Sequence, residues 1–321
     1  MATEIEPLRS KEQERQITST VYMVRPDHFG FNPETEKTNT FQKKISLTEK
    51  EIQQKAFAEF KAMVFTLQSH EVNVIVGQNF PGRIAPDEVF PNNWFTTHED
   101  GTLILYPMFA PNRRLERMAD PIFLKKLKEQ GKFHPEEIKD FSKFEQTDQF
   151  LEGTGSLILD RKNKIAYASQ SPRTSLVALQ TFSETMNYDF IPFHATRLDG
   201  QEIYHTNVVM SVGNGFAVIC PDVIRRPGEK NRVITSLAQK HEIIEITEEQ
   251  MGRFCANILQ LDTPSGKPII VMSDTAFNGF EPDQRKSLEN YGKLVPVHIP
   301  TIEQVGGGSA RCMIAEIFPN K

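Results

Sequence analysis

Three residues able to do covalent chemistry stand in polar or glycine-rich stretches of this 321-residue chain. They are Glu152 in Leu151-Glu152-Gly153-Thr154-Gly155-Ser156, His205 in His205-Thr206-Asn207, and Cys312 in Gly306-Gly307-Gly308-Ser309-Ala310-Arg311-Cys312. A thiolate attacks an sp2 carbon, an imidazole carries the proton to a leaving nitrogen, and a carboxylate holds the substrate or the imidazolium. If the three share one pocket, the chemistry is covalent hydrolysis of a C–N bond without a metal ion. The triple glycine before Cys312 would let backbone approach a substrate closely. Each residue alone also has a plainer reading. Glu152 could be a solvated turn carboxylate, His205 a core histidine satisfied by backbone, and Cys312 a small hydrophobe. Cys220 and Cys255 lie on apolar strand and helix faces and read as structural.

Distant parts of the chain must therefore converge, and the hydrophobic pattern supplies a way. Strands are predicted over 21–24 and 72–76 around a helix over 48–67, whose Thr48 and Glu51 form a capping box. Hairpins follow at 94–97/102–108 around Asp100-Gly101, at 156–159/165–168, and at 208–211/216–220. Helices are predicted over 113–131, 174–186, 230–240, 248–261 and 283–291. Further strands are expected near 190 and over 243–246, 269–272, 295–299 and 313–318. Residues 132–150 read as a polar insertion whose Phe133, Phe141, Phe144 and Phe150 either cover a pocket or line an amphipathic surface segment. Strand, turn, strand, helix, strand recurs four or five times, which predicts one closed α/β assembly rather than separate domains; an open mixed sheet is the alternative. In a pseudo-symmetric ring the beginnings of equivalent strands meet at the axis. The three motifs, with Pro91-Asn92-Asn93-Trp94-Phe95, each precede such a strand.

Composition narrows the function classes. Lys plus Arg number 37 against 42 Asp plus Glu, a net charge of −5, which speaks against nucleic acid or an anionic membrane as partner. No apolar run approaches the roughly 20 residues of a bilayer span. The polar start, residues 1–20, reads as a mobile arm without a signal-peptide core, ahead of a single catalytic domain over 21–321 in a cytoplasmic protein. Three cysteines form no disulfide framework, the eight histidines no ligand cluster, and no phosphate-cradling glycine motif is present. No metal or cofactor is expected. A small-molecule partner remains, and a homo-oligomer is compatible with the sequence.

The order PNxxF, EGxGS, HTN, GGGxxRC resembles the arginine deiminase and amidinotransferase superfamily of the pentein fold, over about residues 20–320. The resemblance implies a five-bladed α/β propeller of ββαβ units, with Cys312 as nucleophile, His205 as general acid and base, and Glu152 on the nitrogens of a small amino-acid substrate. Ser171-Pro172-Arg173-Thr174 resembles the segment whose arginine holds the substrate α-carboxylate; a solvated helix-start arginine is the alternative. Arg113-Arg114 after Asn112 reads as a solvated pair, with a second contact to the substrate carboxylate as the alternative.

Two departures bear on the substrate. Arginine deiminases carry HxD where this chain has His205-Thr206-Asn207, and FTRD where it has Phe95-Thr96-Thr97-His98. Both family aspartates grip a guanidinium, and a buried cation without compensating charge costs several kcal/mol. A neutral ureido group needs donors and acceptors, and asparagine offers both. The expected substrate is citrulline, yielding ornithine, ammonia and carbon dioxide. Asn207 and Asn93 or Asn92 would hold the ureido group, with His98 a secondary candidate, and the closest branch is the citrulline utilization hydrolases. An arginine deiminase, dimethylarginine hydrolase or amidinotransferase acting on a guanidinium is the alternative, and a non-catalytic ligand-binding pentein the alternative of another class.

Overall fold

In the computed structural model, which describes residues 14–78, 84–117 and 121–321, fifteen short strands form five three-stranded sheets. The first sheet contains β1 (Thr20–Val24) and β2 (Asn73–Gly77), parallel and joined through the helix Glu49–Ser69. Thr48 caps that helix, and the reciprocal Glu51 contact completes the expected capping box. The second sheet is β3 (Phe95–Thr97), β4 (Thr102–Leu105) and β5 (Glu137–Asp140). The third is β6 (Ile158–Asp160), β7 (Ile165–Ser169) and β8 (Asp189–Phe193), and the fourth β9 (Met210–Val212), β10 (Phe216–Ile219) and β11 (Glu242–Glu245). The fifth is β12 (Leu259–Leu261), β13 (Ile269–Ser273) and β14 (Lys293–Val297). The last strand, β15 (Ala315–Ile317), returns to pair antiparallel with β1, so the two ends of the chain close the first sheet.

Every sheet repeats one pattern: an outer strand antiparallel to the middle one, which is parallel to the third across a helical crossover. The middle strands are continuous apolar runs, as in Ile269–Ser273, because both faces are covered. The third strands are less covered, as in β14, where Val295 and Val297 are buried on either side of the exposed Pro296. Buried apolar clusters bridge adjacent sheets; one joins Val21 and Met23 to Val271 and Val295. This is the five-bladed pseudo-symmetric α/β propeller that the motif order implied.

Three expectations about local structure are corrected. Residues 132–150 are no insertion over a pocket. They supply β5, the third strand of the second blade, and Phe133 and Phe141 are buried in clusters of that blade and its neighbour. The helix expected over 248–261 stops at Gly252, and Leu259–Leu261 is a strand. The stretch 113–131 divides into a 3-10 helix, Pro111–Glu116, and the α-helix Pro121–Gly131. Of the expected arm, residues 1–13 lie outside the described residues. Glu14 and Gln16 are buried: Tyr188 Oη donates to Glu14 at 2.8 Å, and Gln16 Nε2 donates to Leu159 O at 2.9 Å. Among the described residues no helix is long and apolar enough to cross a membrane.

Because Phe133 is fully buried in the hydrophobic cluster of Leu103, Phe123 and Leu127, Phe133→Ala is expected to cost about 3–5 kcal/mol in a urea titration while leaving KM within twofold. A stable variant with a raised KM would restore the lid reading.

Candidate active site

The four polar motifs and the stretch Cys255-Ala256-Asn257 form five turns, each just before the strand antiparallel to the middle one of its blade (β3, β6, β9, β12 and β15), and hydrogen bonds make four of the links between them. Asn92 Nδ2 donates to Thr154 Oγ1 at 3.3 Å, and Thr206 Oγ1 donates to Ser156 O at 2.5 Å. Asn257 Nδ2 donates to Asn207 O at 3.0 Å and lies 3.3 Å from Cys312 Sγ. The ring closes at Gly308, where an added Cβ would sit 2.9 Å from the Phe90 ring beside Pro91. The triple glycine thus serves first to pack the nucleophile turn against Phe90. Gly155 plays the same part at His205: a Cβ there would lie 2.8 Å from Nδ1 and 2.5 Å from Asn93 Nδ2.

Glu152 is the centre of the charge pattern. It has no exposed surface, and its Oε2 meets His205 Nε2 at 2.7 Å, Arg173 Nη1 at 3.5 Å and Arg113 Nη1 at 3.6 Å. Its other oxygen accepts from Phe109 N at 2.9 Å. Burial raises the carboxyl, but Arg173, the His205 hydrogen bond and Arg113 outweigh it and hold Glu152 well below the ordinary range. An ionised Glu152 accepts a hydrogen bond from Nε2–H, which leaves the lone pair of a neutral His205 on Nδ1. Burial lowers His205 to about 4, against the pull of Glu152 and with the push of Arg173 and Arg113. Burial thus disfavours, even beside Glu152, the imidazolium that a preformed ion pair with Cys312 requires. Burial pushes the Cys220 thiol up to about 11 and Cys255 to about 12, as befits core residues.

Glu152 and His205 meet directly, and the Asn207 of the His205 turn reaches Cys312. Cys312 is 5% exposed, and Asn207 Nδ2 lies 3.4 Å from its sulfur. Asn93 Oδ1 accepts from Arg113 Nη1 at 3.0 Å, and three amide atoms, Asn92 Oδ1, Asn93 Nδ2 and Asn207 Oδ1, are buried without a partner. Arg173 is not a solvated helix-start residue. Its backbone is tied to the Glu152 turn through Ser156, and its guanidinium is buried over Tyr204, donating to Thr38 Oγ1 at 2.6 Å. Arg113 corrects the solvated-pair expectation: it is buried and paired bidentately with Glu116 at 2.9 Å. His98 is not drawn into the cluster. Its ring meets Thr96 Oγ1 at 3.0 Å and Arg161 Nη1 at 3.4 Å, and burial pushes it well below its ordinary value.

The site also contains groups that the sequence reading missed. Asp87 is buried 3.7 Å from Arg113, accepting on Oδ2 from Asn32 at 2.7 Å, with Oδ1 unpartnered. The pocket is therefore less poor in acids than expected. Asn257 was hidden inside the over-extended helix; Cys255-Ala256-Asn257 before a strand echoes His205-Thr206-Asn207, and that echo was the available signal.

A family model described as N,N dimethylarginine dimethylhydrolase, eukaryotic, matches residues 25–319. The chain belongs to this family. With it comes membership of the pentein superfamily of arginine deiminases, dimethylarginine hydrolases and amidinotransferases, whose members here are C–N hydrolases. No curated protein matches the chain by sequence. Among solved structures, the substrate-bound N-terminal domain of ArgZ, an arginine dihydrolase from the ornithine-ammonia cycle in Cyanobacteria, aligns with TM-score 0.69 at 18% identity, over 93% of this chain and 97% of that one. AgrE with L-arginine aligns with TM-score 0.71 at 18% identity, over 93% and 40% of the two chains. Dimethylarginine hydrolase (DDAH) from Pseudomonas aeruginosa with citrulline aligns with TM-score 0.61 at 15% identity, over 94% and 100%. These likenesses bear on the fold.

Removing a buried guanidinium strands the carboxylates it faces. Arg113→Ala is expected to lose about 3–5 kcal/mol of stability by chemical denaturation, and Arg114→Ala much less. Equal losses for the two would contradict the buried pairing.

Proposed function

We propose that this family member hydrolyses the ureido group of citrulline to ornithine, ammonia and carbon dioxide through a covalent adduct on Cys312. The observation that carries the reading is what surrounds the sulfur. Its polar neighbours are two neutral amides, Asn207 and Asn257, and no carboxylate is hydrogen-bonded to it among the described residues. Glu152 is committed to His205 and two arginines. The unpartnered Asn92 Oδ1 and Asn207 Oδ1 suit ureido N–H groups, and Asn93 Nδ2 suits the ureido oxygen. At the other end, Arg173, Arg113 and Asp87 offer both signs of charge to an amino-acid zwitterion, whose carboxylate would take the Arg173 donors now given to Thr38.

In this mechanism the Cys312 proton passes to neutral His205 as sulfur adds to the ureido carbon. His205 returns the proton to the departing ornithine nitrogen as the C–N bond breaks, leaving S-carbamoyl Cys312. Water, giving one proton to neutral His205, then attacks the carbamoyl carbon; as the C–S bond breaks His205 hands that proton to the departing Cys312 sulfur, and the carbamic acid released falls apart to ammonia and carbon dioxide. Glu152 keeps the ring oriented and stabilises the transient imidazolium.

A guanidinium substrate is the second reading. It is favoured by the surplus of three buried carboxyls, Asp87, Glu116 and Glu152, over the guanidiniums of Arg113 and Arg173, and by the unpartnered Asp87 Oδ1. Parallel incubations with citrulline, arginine and dimethylarginine separate the two. The proposal expects ornithine and ammonia from citrulline, lost in Cys312→Ala. Turnover of arginine or dimethylarginine with citrulline left intact would establish the second reading instead.

A further inference from the structure

Two side-chain amides converge on the sulfur, and the more constrained of the two is Asn257. Its side chain is 1% exposed, its Nδ2 lies 3.0 Å from Asn207 O and 3.3 Å from Cys312 Sγ, and its Oδ1 lies 3.6 Å from the same sulfur. The carbonyl of Asn207 decides which way the amide faces, since an oxygen placed there would meet another oxygen. One N–H then goes to the carbonyl and the other is free for the sulfur. Asn207 Nδ2, at 3.4 Å, supplies a second donor. Asn207 O, on which Asn257 is hung, belongs to the turn that also carries His205, so the donor and the base are set by one piece of backbone.

We propose that Asn257 is a catalytic residue which, with Asn207, forms a two-amide cradle that stabilises the sulfur anion as the Cys312 proton leaves. The cradle does by neutral hydrogen bonds what a neighbouring imidazolium does in other thiol enzymes. Charge-assisted hydrogen bonds of this kind strengthen as charge develops and cost no reorganisation when the donors are already in place. No new covalent step is added: the S–H bond breaks, its proton goes to His205, and the electron pair stays on sulfur under the two N–H donors. The donor on Asn257 serves the nucleophile alone, whereas Asn207 also presents Oδ1 to the substrate. This assignment rests on the proposed role of Cys312 and not on the choice of ureido over guanidino substrate.

The test is alkylation of Cys312 by iodoacetamide at neutral pH, read on the peptide that carries it so that Cys220 and Cys255 do not contribute. In the native protein Cys312 is expected to react at least tenfold faster than the same cysteine in the urea-unfolded chain. Asn257→Asp keeps the size of the side chain but replaces the donor with an anion, and is expected to slow alkylation at least tenfold. It should lower kcat by a similar factor with KM within twofold. Asn257→Ser, which keeps a donor, is expected to recover part of both. Alkylation and kcat unchanged in a folded Asn257→Asp would overturn the cradle. So would native Cys312 reacting no faster than in the unfolded chain, a measurement that needs no variant to fold. Fast alkylation without turnover of any ureido or guanidino amino acid would sink the functional reading and leave the cradle standing.

Discussion

One carboxylate oxygen organises this protein. Glu152 Oε2 is shared by the His205 ring and two guanidiniums, with no water-facing surface on the side chain. An ionised carboxylate so placed is costly to bury and is tolerated only because three N–H groups from separate segments reach it. The fold must bring those segments together, and the propeller does so by ending the approach to each blade in a tight turn beside the axis. The stitching from Asn92 to Thr154, Ser156 to Thr206, and Asn207 to Asn257 and Cys312 is the physical means.

That constraint propagates into the chemistry. Burial, with two arginines beyond it, works against a charge on the imidazole despite its carboxylate partner. A neutral base cannot hold a preformed thiolate by charge, which is why the amides around the sulfur matter. The same amides give the reacting end of the site a neutral character, while the charged groups gather at the end where Arg173 and Asp87 lie. A molecule with an uncharged reactive head and a zwitterionic tail matches that division.

Much of this was legible from residue patterns. The capping box at Thr48 and Glu51, the hairpin at Asp100-Gly101 and the recurrence of strand, turn, strand, helix, strand all rest on short-range rules that tertiary context did not override. Illegible parts share a cause. Whether Arg113 is solvated or buried depends on Glu116 and on the distant Glu152, and a charged residue carries no local mark of that. Asn257 was lost because Glu248 to Gly252 begins a helix whose apolar spacing the following residues continue in sequence, although they form the turn and strand of the fifth blade. His98 stood beside a motif in sequence yet belongs to the buried Thr96 and Arg161 pairing. The aromatic residues of 132–150 look like a surface stripe only while the partners that bury Phe133 and Phe141 are unknown.

The state of the His205 ring is the quantity on which the account turns. Nitrogen-15 NMR of the histidine-labelled protein, with His205 assigned by its disappearance in His205→Gln, reads both protonation and tautomer. The account predicts a neutral ring with its proton on Nε2 at neutral pH, gaining a second proton only as the pH falls to about 4. Between the ordinary value near 6.5 and that point the unfolded chain binds the extra proton, so stability declines with acid over the same interval. An imidazolium at neutral pH, or a neutral ring protonated on Nδ1, would contradict it.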